Sequence, residues 1–316
     1  MSSELSRREF FGSAAALAAA GMASTTASAD ETIVAKSKGK MSVAPGRENV
    51  KATTFKNTKM NTVPLNWKEV YYTNCPLISA SNVDQELGWT KEEYKKIGVK
   101  YQFLRAERGN DWYPHYIHNL PNLIRFGGLF PPIHTQADMT RTRLLGVTQV
   151  YEGGVMMVRA RDDIYNMSDL KGKKIGLSKS MNQVKTDWWR IQEEQGIELM
   201  LRKNGMTRAD VEIVEFPYAD DWYNKPEMLD PMENPSELWL KRDHKHDLAF
   251  RPLETALLDG TVDAIYNQSG PLQQLSEATG KIKSIEDLSK YPDWTLQVAN
   301  VPAVITCSEE MAEKTS

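Results

Sequence analysis

Trp67-Lys68-Glu69-Val70-Tyr71-Tyr72-Thr73-Asn74-Cys75-Pro76-Leu77-Ile78-Ser79-Ala80 is the stretch from which the fold can be read. The run from Trp67 to Thr73 is rich in β-branched and aromatic residues, whereas Pro76 opens a helical stretch that Gly88 closes. Strand gives way to helix at Cys75, which makes Cys75 the expected N-cap and Pro76 the first helical residue. The positive end of a helix lowers a thiol pKa, so the position suits a reactive, partly exposed cysteine. It suits equally a cysteine that only caps a turn.

Working outward, a second strand is expected at Val99 to Leu104, and strand, helix, strand in that order argues for a parallel α/β sheet. A long segment from Arg105 to Arg143, dense in aromatics, Pro and Gly, then leads to an apolar strand, Leu144 to Val150. Connections of that length usually carry function. Val155 to Val158 reads as a strand leaving a first domain, and a new helix–strand unit begins at Asn166 and runs to Leu177. Ser178-Lys179-Ser180 follows, ahead of a helix carrying Trp188 and Trp189. Hydroxyls between a strand and a helix N-terminus form an anion site or simply cap the helix. Val211 to Val214 and Val262 to Tyr266 are further strands, and Tyr218 to Pro235 is an acidic, Pro-rich surface excursion.

The N-terminus reads Ser6-Arg7-Arg8-Glu9-Phe10-Phe11-Gly12, then an alanine-rich apolar run to Met22, then Ala27-Ser28-Ala29. This is the pattern of a twin-arginine export signal cleaved after Ala29, and its apolar run is short for a span of about 20 residues. A soluble, periplasmic product without stable membrane insertion is expected. Residues 30–62 are polar and lack apolar periodicity, as in a disordered leader. The remainder of the 316 residues suffices for two domains. A net charge of -3 with scattered positive residues argues against a nucleic-acid partner. Two cysteines, Cys75 and Cys307, exclude a disulfide scaffold.

The first domain also contains Tyr113-Pro114-His115-Tyr116-Ile117-His118 and Leu123-Ile124-Arg125-Phe126-Gly127-Gly128-Leu129-Phe130-Pro131-Pro132, followed by Arg141-Thr142-Arg143-Leu144-Leu145-Gly146. Together with Asn74-Cys75-Pro76, these motifs resemble the 2'-hydroxybiphenyl-2-sulfinate desulfinases, a family within the nitrate, sulfonate and taurine solute-binding fold. The resemblance implies a two-domain α/β fold of the type II periplasmic-binding-protein kind with a ligand cleft between the domains. It places the first domain at 63–159, the second at 160–297, and a return to the first at 298–316, where the family continues further. It also places Cys307 at the far end of the return strand, away from the cleft, so no disulfide to Cys75 is expected. The family's catalytic cysteine falls on Cys75, its histidine on His115, its sulfinate-binding arginine on Arg125 and its glycine on Gly128. The export signal and the short segment near Trp188 depart from the family pattern.

Each residue type fits that chemistry. An arginine fork can hold two oxygens of a sulfinate, and the Gly127-Gly128 backbone allows close approach to the same anion. Ser178 is the expected second-domain contribution. A cysteine either protonates the ring carbon or attacks sulfur as thiolate, with His115 orienting it or shuttling its proton. Trp112, Tyr113 and Phe126 are candidate pocket walls. His115-x-x-His118 lacks a third ligand at zinc-like spacing, so neither metal nor cofactor is expected, and His244-x-His246 sits in a charged, solvated stretch. Two functions follow: a desulfinase releasing sulfite from an aromatic sulfinate, or a monomeric periplasmic receptor delivering an organosulfur anion to an ABC transporter permease. Export favours the second, and Cys75 with His115 and Arg125 favours the first.

The export reading is checked by N-terminal sequencing of secreted protein, which should begin at Asp30. Mature protein retaining Met1 in the cytoplasm would contradict it.

Overall fold

In the computed structural model, residues 39–51, 65–74, 80–104, 113–149, 153–182, 185–219, 252–267, 276, 279–296 and 303–314 are described. They form two sheets, the first packed on one core and the second between two. The N-terminal signal, Cys75, Trp112, His244, His246 and the excursion after Ala219 lie outside them.

The first sheet has five strands. They are β2 (Glu69–Asn74), β3 (Lys100–Phe103), β4 (Leu123–Gly128), β5 (Thr142–Gln149) and β11 (Ala303–Ser308), in the order β3-β2-β4-β11-β5. β2 runs parallel to both β3 and β4, as the strand–helix–strand reading requires, whereas the returning β11 inserts antiparallel between β4 and β5. The sheet is therefore mixed. Between β2 and β3 lie α1 (Ala80–Leu87) and α2 (Trp89–Lys96). Gly88 separates them at φ 71°, a left-handed conformation that glycine adopts without penalty. Val70, Tyr72, Tyr101, Phe103 and Leu123 bury one core, in which Tyr72 and Tyr101 stack at 4.4 Å. Cys307 belongs to this core as a free, buried thiol whose pKa burial pushes up.

The second sheet has six strands, in the order β1 (Lys40–Val43), β8 (Glu212–Tyr218), β7 (Lys174–Ser180), β9 (Ala264–Asn267), β6 (Val155–Arg159) and β10 (Ile282–Asp287). β6 (Val155–Arg159) is buried on both faces, with Met156 and Val158 in one core and Val155 and Met157 in the other. It already belongs to this sheet, so the boundary expected at residue 160 falls before Val155. β7 (Lys174–Ser180) and β8 (Glu212–Tyr218) are parallel. β9 (Ala264–Asn267) and β10 (Ile282–Asp287) flank β6, both antiparallel to it.

The leader expected at 30–62 is corrected in part, because β1 (Lys40–Val43) pairs in parallel with β8. Its four residues, Lys40-Met41-Ser42-Val43, alternate polar and apolar over a run too short to stand out from a polar stretch, and the strand is held by its partner. Lys40 Nζ and Ser42 Oγ both donate to the Glu212 carboxylate at 2.8 Å, and Arg47 Nη1 donates to the Pro217 carbonyl at 2.9 Å.

Helix α5 (Trp188–Lys203) packs on this sheet, and α6 (Pro252–Asp259) buries Leu253 and Leu257 in the core that holds Val155 and Met157. α5 approaches closely because Gly196 faces the fully buried Tyr266 ring of β9. A methyl at position 196 would overlap that ring, whereas alanine gains at most about 1 kcal/mol of helix propensity over glycine. Gly196→Ala should therefore lower unfolding free energy by about 1 to 2 kcal/mol in urea titration. An unchanged or raised midpoint would contradict this packing.

Candidate functional site

The site begins where β2 and β4 end side by side. Thr73 and Arg125 are register partners across the parallel pair, and so are Asn74 and Phe126. The C-terminal ends of parallel strands are where α/β folds bind ligands, because the loops there are free of sheet pairing. Thr73 is fully buried, and Asn74 Nδ2 donates to Gln85 Oε1 of α1 at 2.9 Å.

Helix α3 (Tyr113–Ile117) brings the histidine to these strand ends, with all five of its residues buried. His115 is fully buried, and its Nδ1 is hydrogen-bonded to Thr73 Oγ1 at 2.8 Å. That contact orients the ring. Two hydroxyls hold the end of the helix: Thr135 Oγ1 donates to the Tyr116 carbonyl at 2.8 Å, and Thr140 Oγ1 to the Ile117 carbonyl at 3.2 Å. Thr135 lies on α4 (Phe130–Asp138), which starts with Pro131 and Pro132 in its first turn.

Arg125 is the largest fully buried side chain among the described residues. Its Nε donates to the His115 carbonyl at 2.6 Å, and its Nη1 to the Gly128 carbonyl at 2.9 Å. One guanidinium thus ties the histidine's backbone to the glycine end of β4. The sequence reading assigned the arginine fork to a bound anion; two of its N–H groups brace the protein itself.

His118 leaves α3 with φ 48°, the single left-handed non-glycine residue among those described. Its Nε2 is hydrogen-bonded to Thr306 Oγ1 of β11 at 2.9 Å. Burial, and secondarily the Arg125 charge, lowers its pKa to about 3, so the ring is neutral at pH 7. His115 and His118 thus serve different strands, with no group of three metal-ligating side chains among the described residues.

The second domain reaches this helix through the segment ahead of α5. Asn182 Nδ2 donates to Tyr113 Oη at 3.3 Å, and Lys185 Nζ lies 4.8 Å from the centre of the Tyr116 ring. That ring in turn meets His115 edge-on at 5.0 Å. Trp188, stacked on Trp189 at 4.1 Å, packs against the first-domain core. Ser178, expected at a helix N-terminus, lies instead within β7, because α5 starts only at Trp188 with Asp187 as its N-cap. Its backbone N–H and its hydroxyl both donate to the buried carboxylate of Glu193, at 2.7 and 3.0 Å. An incoming anion at Ser178 would have to displace that carboxylate. Of the pocket walls named from sequence, Tyr113 is buried in the first-domain core and Phe126 packs against it half-buried.

Thr73, Asn182 and Lys185 were not singled out from sequence. Thr73 could have been found by strand alternation, since it precedes Cys75 by two residues and so shares its face if the strand continues. Lys185 carries no local pattern, and its place depends on how the two domains meet.

No family model matches the chain. Over 111 residues it is 32% identical to 2'-hydroxybiphenyl-2-sulfinate desulfinase from Rhodococcus erythropolis, a match that takes in 34% of this chain and only 28% of the relative. The protein of that name from Rhodococcus qingshengii gives the same figures. Among solved structures, a cysteine-to-serine variant of the desulfinase DszB in complex with biphenyl-2-sulfinic acid superposes with a TM-score of 0.50 at 22% identity, over 79% of this chain and 71% of that one. A periplasmic sulfonate-binding protein from Methylobacillus flagellatus also gives 0.50, at 16% identity, over 78% of this chain and 63% of its own. The chain is thus similar in sequence, over about a third of its length, to 2'-hydroxybiphenyl-2-sulfinate desulfinase, and it has the two-domain fold that this enzyme shares with the sulfonate-binding proteins.

Proposed function

We propose that this protein is an exported desulfinase that hydrolyses the carbon–sulfur bond of an aromatic sulfinate. The reaction consumes one water and gives the arene and bisulfite, so a proton must reach the ring carbon while oxygen is added at sulfur. The observation that carries this reading is the bracing of His115 by Thr73 and Arg125 at the ends of β2 and β4, immediately before Cys75 in the chain. A receptor needs an anion site but has no use for a buried histidine held at both its ring and its carbonyl.

In this scheme Cys75 is the acid or nucleophile, and His115 holds or moves its proton. Thr73 orients the His115 ring through Nδ1. Arg125 supplies positive charge to the sulfinate while keeping the His115 and Gly128 carbonyls in place, and the Gly127-Gly128 backbone closes on the anion. The sulfinate's charge then sits in a site shielded from water, where each donor counts for more than at a surface.

A periplasmic receptor handing an organosulfur anion to an ABC transporter is the second reading, favoured by the fold likeness to a sulfonate-binding protein and by the export signal. Fold does not decide between them, since one architecture hosts both.

Cys75→Ser separates the two. Serine keeps the size and capping ability of cysteine but is a weak nucleophile without a dedicated base. Wild-type protein should release sulfite from an aryl sulfinate, and the serine variant should retain binding while sulfite release falls by about 1000-fold or more. Wild type that binds the sulfinate without releasing sulfite would replace this reading with the receptor.

A further inference from the structure

Among the described residues, the hydrogen bonds that first-domain side chains make to α3 gather at its C-terminal end: Thr73 and Arg125 on His115, Thr135 on Tyr116, Thr140 on Ile117. The entering residue, Tyr113, is met from the other domain, by Asn182 at 3.3 Å. The orientation of that carboxamide is not free. Asn182 Oδ1 accepts from the Lys185 N–H at 3.0 Å, which leaves Nδ2 to donate and makes Tyr113 Oη the acceptor. The loop that carries it is tied down on its own side: the Asn182 N–H donates to Ser180 Oγ at 3.1 Å, and the Ser180 N–H to Asp187 Oδ2 at 2.6 Å. Two further contacts join the domains at the same helix. Trp188 packs against the core that includes Tyr113 and Tyr116, and the Lys185 ammonium lies over the Tyr116 ring, which meets His115 edge-on.

From this geometry we infer that Asn182 is a positioning residue: it acts through Tyr113 to hold the entering turn of α3, so that the second domain sets the place of His115. The inference rests on the desulfinase reading, in which His115 holds or moves the proton of Cys75, and it adds the requirement that the two domains be docked for that step. A helix of five residues held only at its far end can tilt about His115, and a displacement of about 1 Å at a reacting group costs about 100-fold in rate. Docking then governs the chemical step more than the affinity for the anion, because Arg125 is braced within the first domain.

Two measurements on the full chain test this: sulfite release from biphenyl-2-sulfinate, and the NMR signal of the His115 ring in histidine-labelled protein, assigned by its loss in His115→Gln. Asn182→Ala should lower kcat by about 10- to 100-fold, leave KM within about threefold and shift the His115 signal. Tyr113→Phe should do the same, and the double variant should be no worse than either, because both remove one contact. Asn182→Asp, whose carboxylate can accept from both the Lys185 N–H and the Tyr113 hydroxyl, should recover most of kcat. A raised KM with unchanged kcat, or losses that multiply in the double variant, would mean that the contact only joins the domains. A His115 signal unmoved in Asn182→Ala would mean that the contact does not reach the histidine; each of these results overturns the inference. Wild type that releases no sulfite would sink the desulfinase reading, and the His115 signal in folded Asn182→Ala would then decide the positioning by itself.

Discussion

The buried guanidinium of Arg125 is the constraint on which the site depends. A charge removed from water must be met by hydrogen bonds, and two of the acceptors that meet this one are backbone carbonyls, His115 O and Gly128 O. Those carbonyls belong to a helix and a strand that have no ladder bonds to each other. Arg125 therefore fixes the distance between α3 and the end of β4, and with it the place of the histidine. Thr73 makes the same demand from β2, so two neighbouring strands and one helix have a single arrangement that satisfies all three residues.

Around that centre the first domain supplies rigidity, and the second supplies a surface that meets it. α3 is clamped by Thr135 and Thr140 on one side and by the His118–Thr306 contact to the returning strand on the other. The returning strand β11 pairs Thr306 with Arg125 and Ala303 with Gly128, so the strand that carries the chain back from the second domain also lies along the arginine's own strand. Within the second domain, Glu193 satisfies the donors at Ser178, which keeps that strand end internally neutralised and leaves the approach to α3 to Asn182 and Lys185.

Much of this was legible from local pattern. The β-rich run ahead of Cys75 and the apolar stretches at 99–104 and 144–150 carry their signal within a few residues, and strands lie there in the structure. What escaped was set by distant partners. β1 alternates polar and apolar for only four residues, and it is its pairing alongside Glu212 to Glu215 that fixes it as a strand. The domain boundary shifted because β6 is apolar at four consecutive positions, which says that it is buried but not in which sheet. Ser178 was misplaced relative to α5 because the segment up to Asp187 delays the helix, and Asp187 takes the cap that a serine was expected to provide.

The central claim, that a braced arginine organises a sulfinate site, is tested most directly by Arg125→Lys. A lysine carries the same charge but cannot reach the His115 and Gly128 carbonyls as a planar fork. Calorimetric titration of the folded variant with an aryl sulfinate, under conditions where near-ultraviolet circular dichroism matches wild type, should show binding weaker by about 1 to 3 kcal/mol. Affinity equal to wild type in that variant would contradict the account and move the anion away from Arg125.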